Sequence, residues 1–335
     1  MNTEIDYSIV ICAYNPDERI LKRCLEAVYS LDIDGISMEV ILVDNNSLNP
    51  LDRIQYVWEY KSKIGTLKLL HVTKQGVKHA RMAAIDEAKG KYIVYIDYDN
   101  EPEKSYLQEL KKLNKQYANV AAWGPGDVTV DFIDGVDKKI EEYSRIAFQE
   151  RHETTIQSAS LPEWRSCYPF GTGLCTHAFL LKEYNKLAKQ GQFTTQGRRE
   201  NELTGGEDTQ MVLLCIAKGY FAGVSPTLKL THIIPAERSN IQYLKRLAYG
   251  TGLSYETCLV QVFPDHLEKL QAEILPESKF SRRTVKKYLT TKLSTDPFKI
   301  FEAIRYIALH AGAYAALDRP LPPTVKSVIR RMKLV

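Results

Sequence analysis

Over the first 130 positions, short runs of consecutive apolar residues alternate with segments whose apolar positions recur every three or four residues. That alternation predicts strand–helix units and a mostly parallel sheet flanked by helices. Ser8 to Cys12 (SIVIC) reads as a buried strand. It runs into Tyr14-Asn15-Pro16, where Asn15 can cap and Pro16 can open a helix. That helix would place Ile20, Leu21, Cys24, Leu25 and Val28 on one face. A second strand, Glu39 to Val43, meets the turn-forming residues Asp44-Asn45-Asn46-Ser47. A third, Leu67 to Val72, leads to Gly76 and a helix from Lys78 to Lys89 that stops at Gly90. The fourth, Tyr92 to Asp97, ends in the acids Asp97, Asp99 and Glu101.

Beyond residue 130 the pattern is mixed. A charged helix is predicted over Lys138 to Gln149, followed by a loop carrying Pro162, Trp164 and Pro169. Gly205-Gly206 frees the chain before a helix that opens on Glu207-Asp208 and buries Met211, Leu214, Cys215 and Ala217. A β-rich run, Thr227 to Thr231, delivers His232. After it the chain reads as helical to its end, with Phe298, Phe301, Ile304, Ile307 and Ala308 on one helical face. The division predicted is residues 1–240, split into halves at 130, and a helical extension over 241–335.

Composition changes this picture in two places. The chain has no C-x-x-C pair among its six cysteines, which suits small buried thiols in a reducing, cytoplasmic setting. No leader pattern and no long uncharged apolar run occur, so an uncleaved chain without a membrane span is expected. Charge is uneven: after Pro276 there are thirteen Lys/Arg against four Asp/Glu, within a net +4 for all 335 residues. Such a tail is either a solvated face or a surface that meets an anionic membrane, and the apolar face at 298–308 either packs internally or docks on a bilayer.

In open α/β sheets ligands bind outside the carboxyl ends of the strands. Three of the predicted strands end in polar residues there: Tyr14-Asn15, Asp44-Asn45-Asn46 and Asp97-Tyr98-Asp99. On a strand alternate residues point the same way, so Asp97 and Asp99 can turn both carboxylates to one point, an arrangement suited to a hard divalent cation that also binds phosphates. Read alone, D-x-D is equally a polar strand end or a turn. Glu207-Asp208 alone is equally a pair of acids favoured by a helix N-terminus.

Together these segments resemble family 2 glycosyltransferases of the GT-A fold. The carriers are "SIVICAYNPDERILKRCLEAV", "EVILVDNNS", "KQGVKHARMAAIDEAKGKYIVYIDYDNE" and "GGEDTQMVLLCIAKGY", in the family's order and spacing across residues 6–240. The resemblance implies a GT-A fold with a Rossmann-like sheet, a nucleotide-sugar-binding half over 1–130 and an acceptor half over 131–240. It implies an inverting, metal-dependent transfer of a hexosyl or N-acetylhexosaminyl group. The donor would be a nucleotide-diphosphate sugar, UDP first. The acceptor would be a saccharide or lipid-linked saccharide, in surface polysaccharide or glycolipid synthesis, with peripheral attachment to the inner face of the cell membrane and no nucleic-acid partner.

Residue by residue, the resemblance assigns Ala13, Tyr14, Asn15 and Asp44 to the nucleoside, and Gly76 and Arg81 to its neighbourhood and phosphates. Asp97 and Asp99 would carry Mn²⁺ or Mg²⁺ against the diphosphate, with His232 as a third ligand and Arg238 near the phosphates. Asp208 would be the general base, with Glu207 beside it. Trp164, Tyr168 and Phe170 are candidates for stacking on the acceptor sugar. The chain departs from the family at Ala13, often Thr, and at Met82, usually Asn. A phosphatase using D-x-D would place it near the start of its domain, with Thr or Val following the pair; here Asn100 follows. A nucleotidyltransferase needs a Gly-rich loop that "CAYNPDE" does not supply. The alternative kept is a catalytically inactive module that binds nucleotide sugar or glycan, whose mark would be loss of the carboxylates.

Overall fold

The computed structural model describes residues 4–195 and 203–335. Residues 196–202, inside the expected acceptor half, lie outside them. The chain runs β1 (Tyr7–Ala13), α1 (Glu18–Tyr29), β2 (Met38–Asp44), α2 (Gln55–Lys63), β3 (Leu67–His71), α3 (Val77–Glu87) and β4 (Tyr92–Tyr95). There follow β5 (Asn100–Pro102), α4 (Tyr106–Gln116), β6 (Val120–Phe132), α5 (Lys138–Ala147), β7 (Arg151–His152), β8 (Gln157–Ala159) and β9 (Cys175–His177). After α6 (Ala178–Lys189), α7 (Glu207–Ala217) and β10 (Phe221–Ile234) come α8 (Ile241–Val262), α9 (His266–Glu273), α10 (Glu277–Lys292), α11 (Pro297–Ala316) and α12 (Pro323–Arg331). Among the described residues no helix is long and apolar enough to cross a membrane.

Two compact units emerge. The first comprises residues 1–131, 149–192 and 211–234. It holds a sheet of order β3-β2-β1-β4-β9-β6-β10-β5, with β7 on β6 and β8 on β10. The β1–β2, β2–β3 and β1–β4 pairings are parallel, whereas β4–β9, β6–β9 and β10–β5 are antiparallel. The Rossmann-like half expected from the N-terminal pattern is thus present, and in the second half of the sheet β9, β7, β8 and β5 each pair antiparallel with their neighbours. Strand alternation sends Ile9, Ile11, Val40 and Leu42 to one face, where they pack with Leu21, Cys24, Leu25 and Val28 of α1 and Leu107 and Leu110 of α4. Helix α3 packs on β1 and β2 and against α6.

Local chemistry explains where the elements differ from the sequence reading. Asp17, not Asn15, caps α1, accepting from the Arg19 N–H at 2.8 Å. Asn15 instead has φ +43°, a region Asn tolerates, and its side chain accepts from the Leu48 N–H at 2.7 Å. Gly90 does not cap α3, whose C-cap is Ala88. It is glycine because β1 runs against it: a Cβ there would sit 2.5 Å from the Ser8 nitrogen. Beside it, buried Glu39 joins three elements, accepting from Ser8 Oγ (2.7 Å), the Lys89 N–H (2.7 Å) and Lys68 Nζ (2.6 Å).

The second unit comprises residues 132–148, 193–210 and 235–335. Its centre is the α8–α11 contact, where small residues let the backbones meet: a Cβ on Gly252 would lie 2.7 Å from Ala308 Cβ, and one on Gly312 2.6 Å from the Leu253 carbonyl oxygen. Phe301, Ile304, Ile307 and Ala308 are fully buried, and the Tyr143 ring of α5 stacks on Phe301 at 3.6 Å between centroids. Of the apolar face read from the sequence, only Phe298 keeps substantial exposure, 41%. The other four residues of that face pack internally.

Candidate active site

The strand order reverses between β1 and β4, and at such a switch point the loops leaving two neighbouring strands diverge and open a crevice. From β1 leave Ala13, Tyr14 and Asn15; from β4, through Ile96, leave Asp97 and Asp99. The loops here are cross-tied. The Asn15 N–H donates to Ser47 Oγ at 2.9 Å, and the Asn45 N–H to the Ala13 carbonyl at 2.8 Å. The Asn45 side chain donates to the carbonyls of Val72 (3.2 Å) and Lys74 (2.9 Å) and accepts from the Gly76 N–H at 2.8 Å. Gly76, with φ +123°, then opens α3.

Asp44 is buried and accepts from the Ser47 N–H (2.9 Å) and the Leu51 N–H (3.1 Å), with His71 Nδ1 3.6 Å away. It therefore builds the turn that holds Ser47 against Asn15. Asn45 and Ser47 make the connections between the three loops, roles the sequence reading did not assign. Their signal was only a run of turn formers.

The D-x-D segment is a turn and not a strand. Strand β4 ends at Tyr95, Ile96 still donates to Val10 (3.0 Å), and Asn100 then closes on Asp97, its N–H donating to the Asp97 carbonyl at 2.9 Å. Alternation no longer applies to the two carboxylates. Asp97 Oδ1 lies 3.2 Å from Arg81 Nη2, whose guanidinium is buried over the Tyr95 ring at 4.9 Å. Asp99, 5% exposed, accepts from Asn100 Nδ2 at 3.0 Å, and its Oδ2 lies 3.6 Å from Nε2 of buried His232. Pairing of β5 with β10 sets that approach, since Asn100 is the register partner of His232 and the Ile233 N–H donates to the Asp99 carbonyl at 2.8 Å.

Glu101, the third acid of the segment, is gripped by Arg23, whose Nε donates at 2.7 Å and whose Nη1 reaches Asp131 at 2.7 Å. Those bonds hold the Arg23 guanidinium firmly in its charged form. Beneath the turn, the Cys24 Sγ lies 3.6 Å from the Asp97 carbonyl. Burial first, then the charges of Asp99, Asp97 and Glu101, push that thiol well up, so it stays protonated.

Among the described residues no three His, Cys, Asp or Glu side chains form a ready-made metal cage. The three-ligand set expected from the sequence is drawn together only in part: Asp99 and His232 face one another, while Asp97 is engaged by Arg81. A Mg²⁺- or Mn²⁺-type ion that is completed by substrate phosphates needs only one or two protein ligands. An oxygen and an imidazole nitrogen side by side suit such an ion. The residues fit it.

Glu207 and Asp208 stand in the first turn of α7, where the helix N-terminus favours acids. Glu207 is buried, Asp208 is half-buried, and the Thr209 N–H donates to Asp208 Oδ1 at 2.8 Å. Gly206 before them has φ +122°, and a Cβ on it would meet Cys258 Sγ of α8 at 2.7 Å. Arg238 lies in a turn, half-buried, its N–H donating to the Pro235 carbonyl at 3.0 Å. Of the expected acceptor aromatics, Trp164 packs edge-on against Tyr168 at 5.8 Å and lies 5.5 Å from Phe170. Tyr168 is fully buried, with its hydroxyl spent on Leu161 N–H and carbonyl. It has no face for a sugar and is corrected to a loop anchor; Trp164 and Phe170 remain half-buried.

The sequence profile of Glycosyl transferase family 2 matches residues 8–175, half of the chain. EpsH of Bacillus subtilis is 29% identical over 103 residues, which is 31% of this chain and 28% of that protein. The cholesterol galactosyltransferase of Borreliella burgdorferi is 27% identical over 103 residues, 31% of this chain and 27% of its own length. These matches therefore span less than a third of either curated relative. Among solved structures, S. aureus TarS 1-349 in complex with UDP-GlcNAc aligns over 94% of this chain and 93% of its own, at 14% identity and TM-score 0.48.

Proposed function

We propose that this chain, which belongs to glycosyl transferase family 2, is a glycosyltransferase that carries out an inverting, metal-assisted transfer from a nucleotide-diphosphate sugar to a saccharide or lipid-linked saccharide hydroxyl. The observation that carries the metal-assisted reading is the Asp99–His232 approach beside the Asp97–Arg81 pair, at the carboxyl end of β4. Asp99 and His232, with Asp97 alongside, would hold the divalent ion. When bound, that ion would neutralise charge on the leaving diphosphate. Arg81 keeps Asp97 in place, and Asn45 and Ser47 hold the β1, β2 and α3 loops in register for the nucleoside. Asp44 builds that turn, so its part in base binding is to shape the pocket around Ala13, Tyr14 and Asn15. UDP is the first donor to test, because the family uses it most.

Asp208 is the general base in this reading. The acceptor oxygen forms its bond to the anomeric carbon as the bond to the diphosphate oxygen breaks. The electron pair leaves with the nucleoside diphosphate, and the acceptor proton passes to the Asp208 carboxylate. In the same reading Glu207 would be the neighbour that orients it, and Arg238 would serve the phosphates. Surface polysaccharide or glycolipid synthesis at the inner membrane face is the setting we propose, on the family's usual work.

The test is transfer from UDP-sugars by the wild type and by Asp208→Asn. The variant should bind UDP as the wild type does and lose turnover by at least about 10²-fold, the scale of a positioned base. Full turnover in Asp208→Asn would remove Asp208 from the mechanism.

A further inference from the structure

The second unit contains a cavity of about 420 Å³ that the transfer reaction does not use. It is bordered by the start of α8, the end of α10, the start of α11 and the end of α12. Four of its lining residues are cations, Lys245, Lys292, Arg331 and Lys333, and no acid lines it. Among the described residues none of the four forms an ion pair, whereas Lys287, on the same helix as Lys292, pairs with Glu302 at 3.3 Å. Tyr288 and Gln242 add a ring and an amide, with Lys292 Nζ 5.3 Å from the Tyr288 ring centre.

Basic side chains at the ends of α10 and α12 partly answer the carbonyl dipoles there. Each helix end supplies only roughly half an elementary charge, so two ends do not balance four cations. Like charges gathered around one cavity cost stability unless an anion neutralises them.

The surroundings of the cavity indicate the anion's source. Leu293 follows Lys292 directly and is 90% exposed; Leu289, one turn earlier, is 54% exposed, and Phe298 stands two residues before the lining Ile300. The solvent side of α10 also carries Arg282 and Lys286, both exposed. Large apolar side chains beside a basic pocket match the boundary of an anionic bilayer, where phosphate lies at headgroup level and acyl chains just beneath.

We infer that this cavity takes the phosphate headgroup of an anionic membrane lipid, with Leu293 and Phe298 entering the interface. Of the face read from the sequence only Phe298 takes part: Phe301, Ile304, Ile307 and Ala308 are internal, and the surface is made by the ends of α10 and α12 with the start of α11. The inference does not rest on the transfer chemistry, because its assay contains no nucleotide sugar.

The experiment is flotation of the full chain with vesicles of phosphatidylcholine alone and of phosphatidylcholine mixed with phosphatidylglycerol, together with calorimetric titration of inorganic phosphate. The wild type should float only with the anionic vesicles, and rising salt should release it. Lys292→Gln with Arg331→Gln should lower partitioning on the order of 30-fold, the product of two basic side chains near an anionic surface. Leu293→Asp, at a position too exposed to affect folding, should lower it as well. Absence of flotation with anionic vesicles, or flotation that both variants leave unchanged, overturns the inference. Titration of inorganic phosphate into the cavity without flotation would show a free-phosphate site and overturn the lipid assignment.

Discussion

Replacing Glu39 by Gln tests the join between the sheet and the α3–β4 connection. The wild-type carboxylate is 2% exposed at its side chain and carries three donors: the Ser8 hydroxyl, the Lys89 N–H and the Lys68 ammonium. Burial alone would raise its pKa; Lys68, the Lys89 N–H and Ser8 outweigh burial and hold it below the usual carboxylate range. A Gln whose oxygen keeps Ser8 and Lys89 must turn its NH₂ toward Lys68, donor against cation. One charge-assisted bond is lost and two weaken, a cost of about 1.5–3 kcal/mol. Lys68 is 45% exposed and recovers water, which favours the lower end, about 2 kcal/mol.

At about 2–4 °C per kcal/mol for a unit of this size, the first unit's thermal midpoint should fall by about 4–8 °C at pH 7. The sign with pH follows from the lowered pKa. The carboxylate's contribution is complete above its unfolded pKa and disappears as pH falls through the folded value. The gap between wild type and Glu39→Gln should therefore be full at pH 7 and close in acid, below the ordinary Glu pKa of about 4.3. Paired melts followed by near-ultraviolet circular dichroism measure it. Equal midpoints at pH 7, or a gap that widens in acid, would show that the Glu39 carboxylate does not hold this join.

Gly312→Ala should destabilise the second unit by about 1–3 kcal/mol despite alanine's better helix propensity, because the new Cβ meets the Leu253 and Gly252 carbonyl oxygens, which cannot rotate away; a raised melting temperature would show that α8 and α11 can separate at no cost. Arg81→Lys keeps the charge but loses the planar contact with Tyr95 and the fork toward Asp97. Its Mn²⁺-dependent affinity for UDP should fall about tenfold, and unchanged affinity would reduce Arg81 to a packing residue.

The parallel half of the sheet was legible because β1 and β2 are buried on both faces and read as unbroken apolar runs. The second half was not: β9 is only Cys175–His177, too short for any periodicity, and it finds its place between β4 and β6, antiparallel to both, through contacts far apart in sequence. The same holds for segments 132–148 and 193–210, which belong with the C-terminal helices and lie far from them along the chain. At the site, Asp97, Asp99 and His232 stood out by type and position. The turn that separates the two acids did not, because it depends on Asn100 closing back on Asp97. Arg23 could not be linked to Glu101 and Asp131 from spacing, since helix α1 brings it across from 78 and 108 residues away. Glu39 looked like one polar residue opening a strand, and only the fold encloses it.

Metal-assisted donor binding is tested by calorimetric titration of the protein with UDP in Mn²⁺ and in EDTA, for the wild type and for Asp99→Ala. The wild type should bind UDP in Mn²⁺ and lose that binding in EDTA, and Asp99→Ala should bind far more weakly. Equal affinity in EDTA, or an Asp99→Ala protein that binds UDP and Mn²⁺ as the wild type does, would contradict metal-assisted binding.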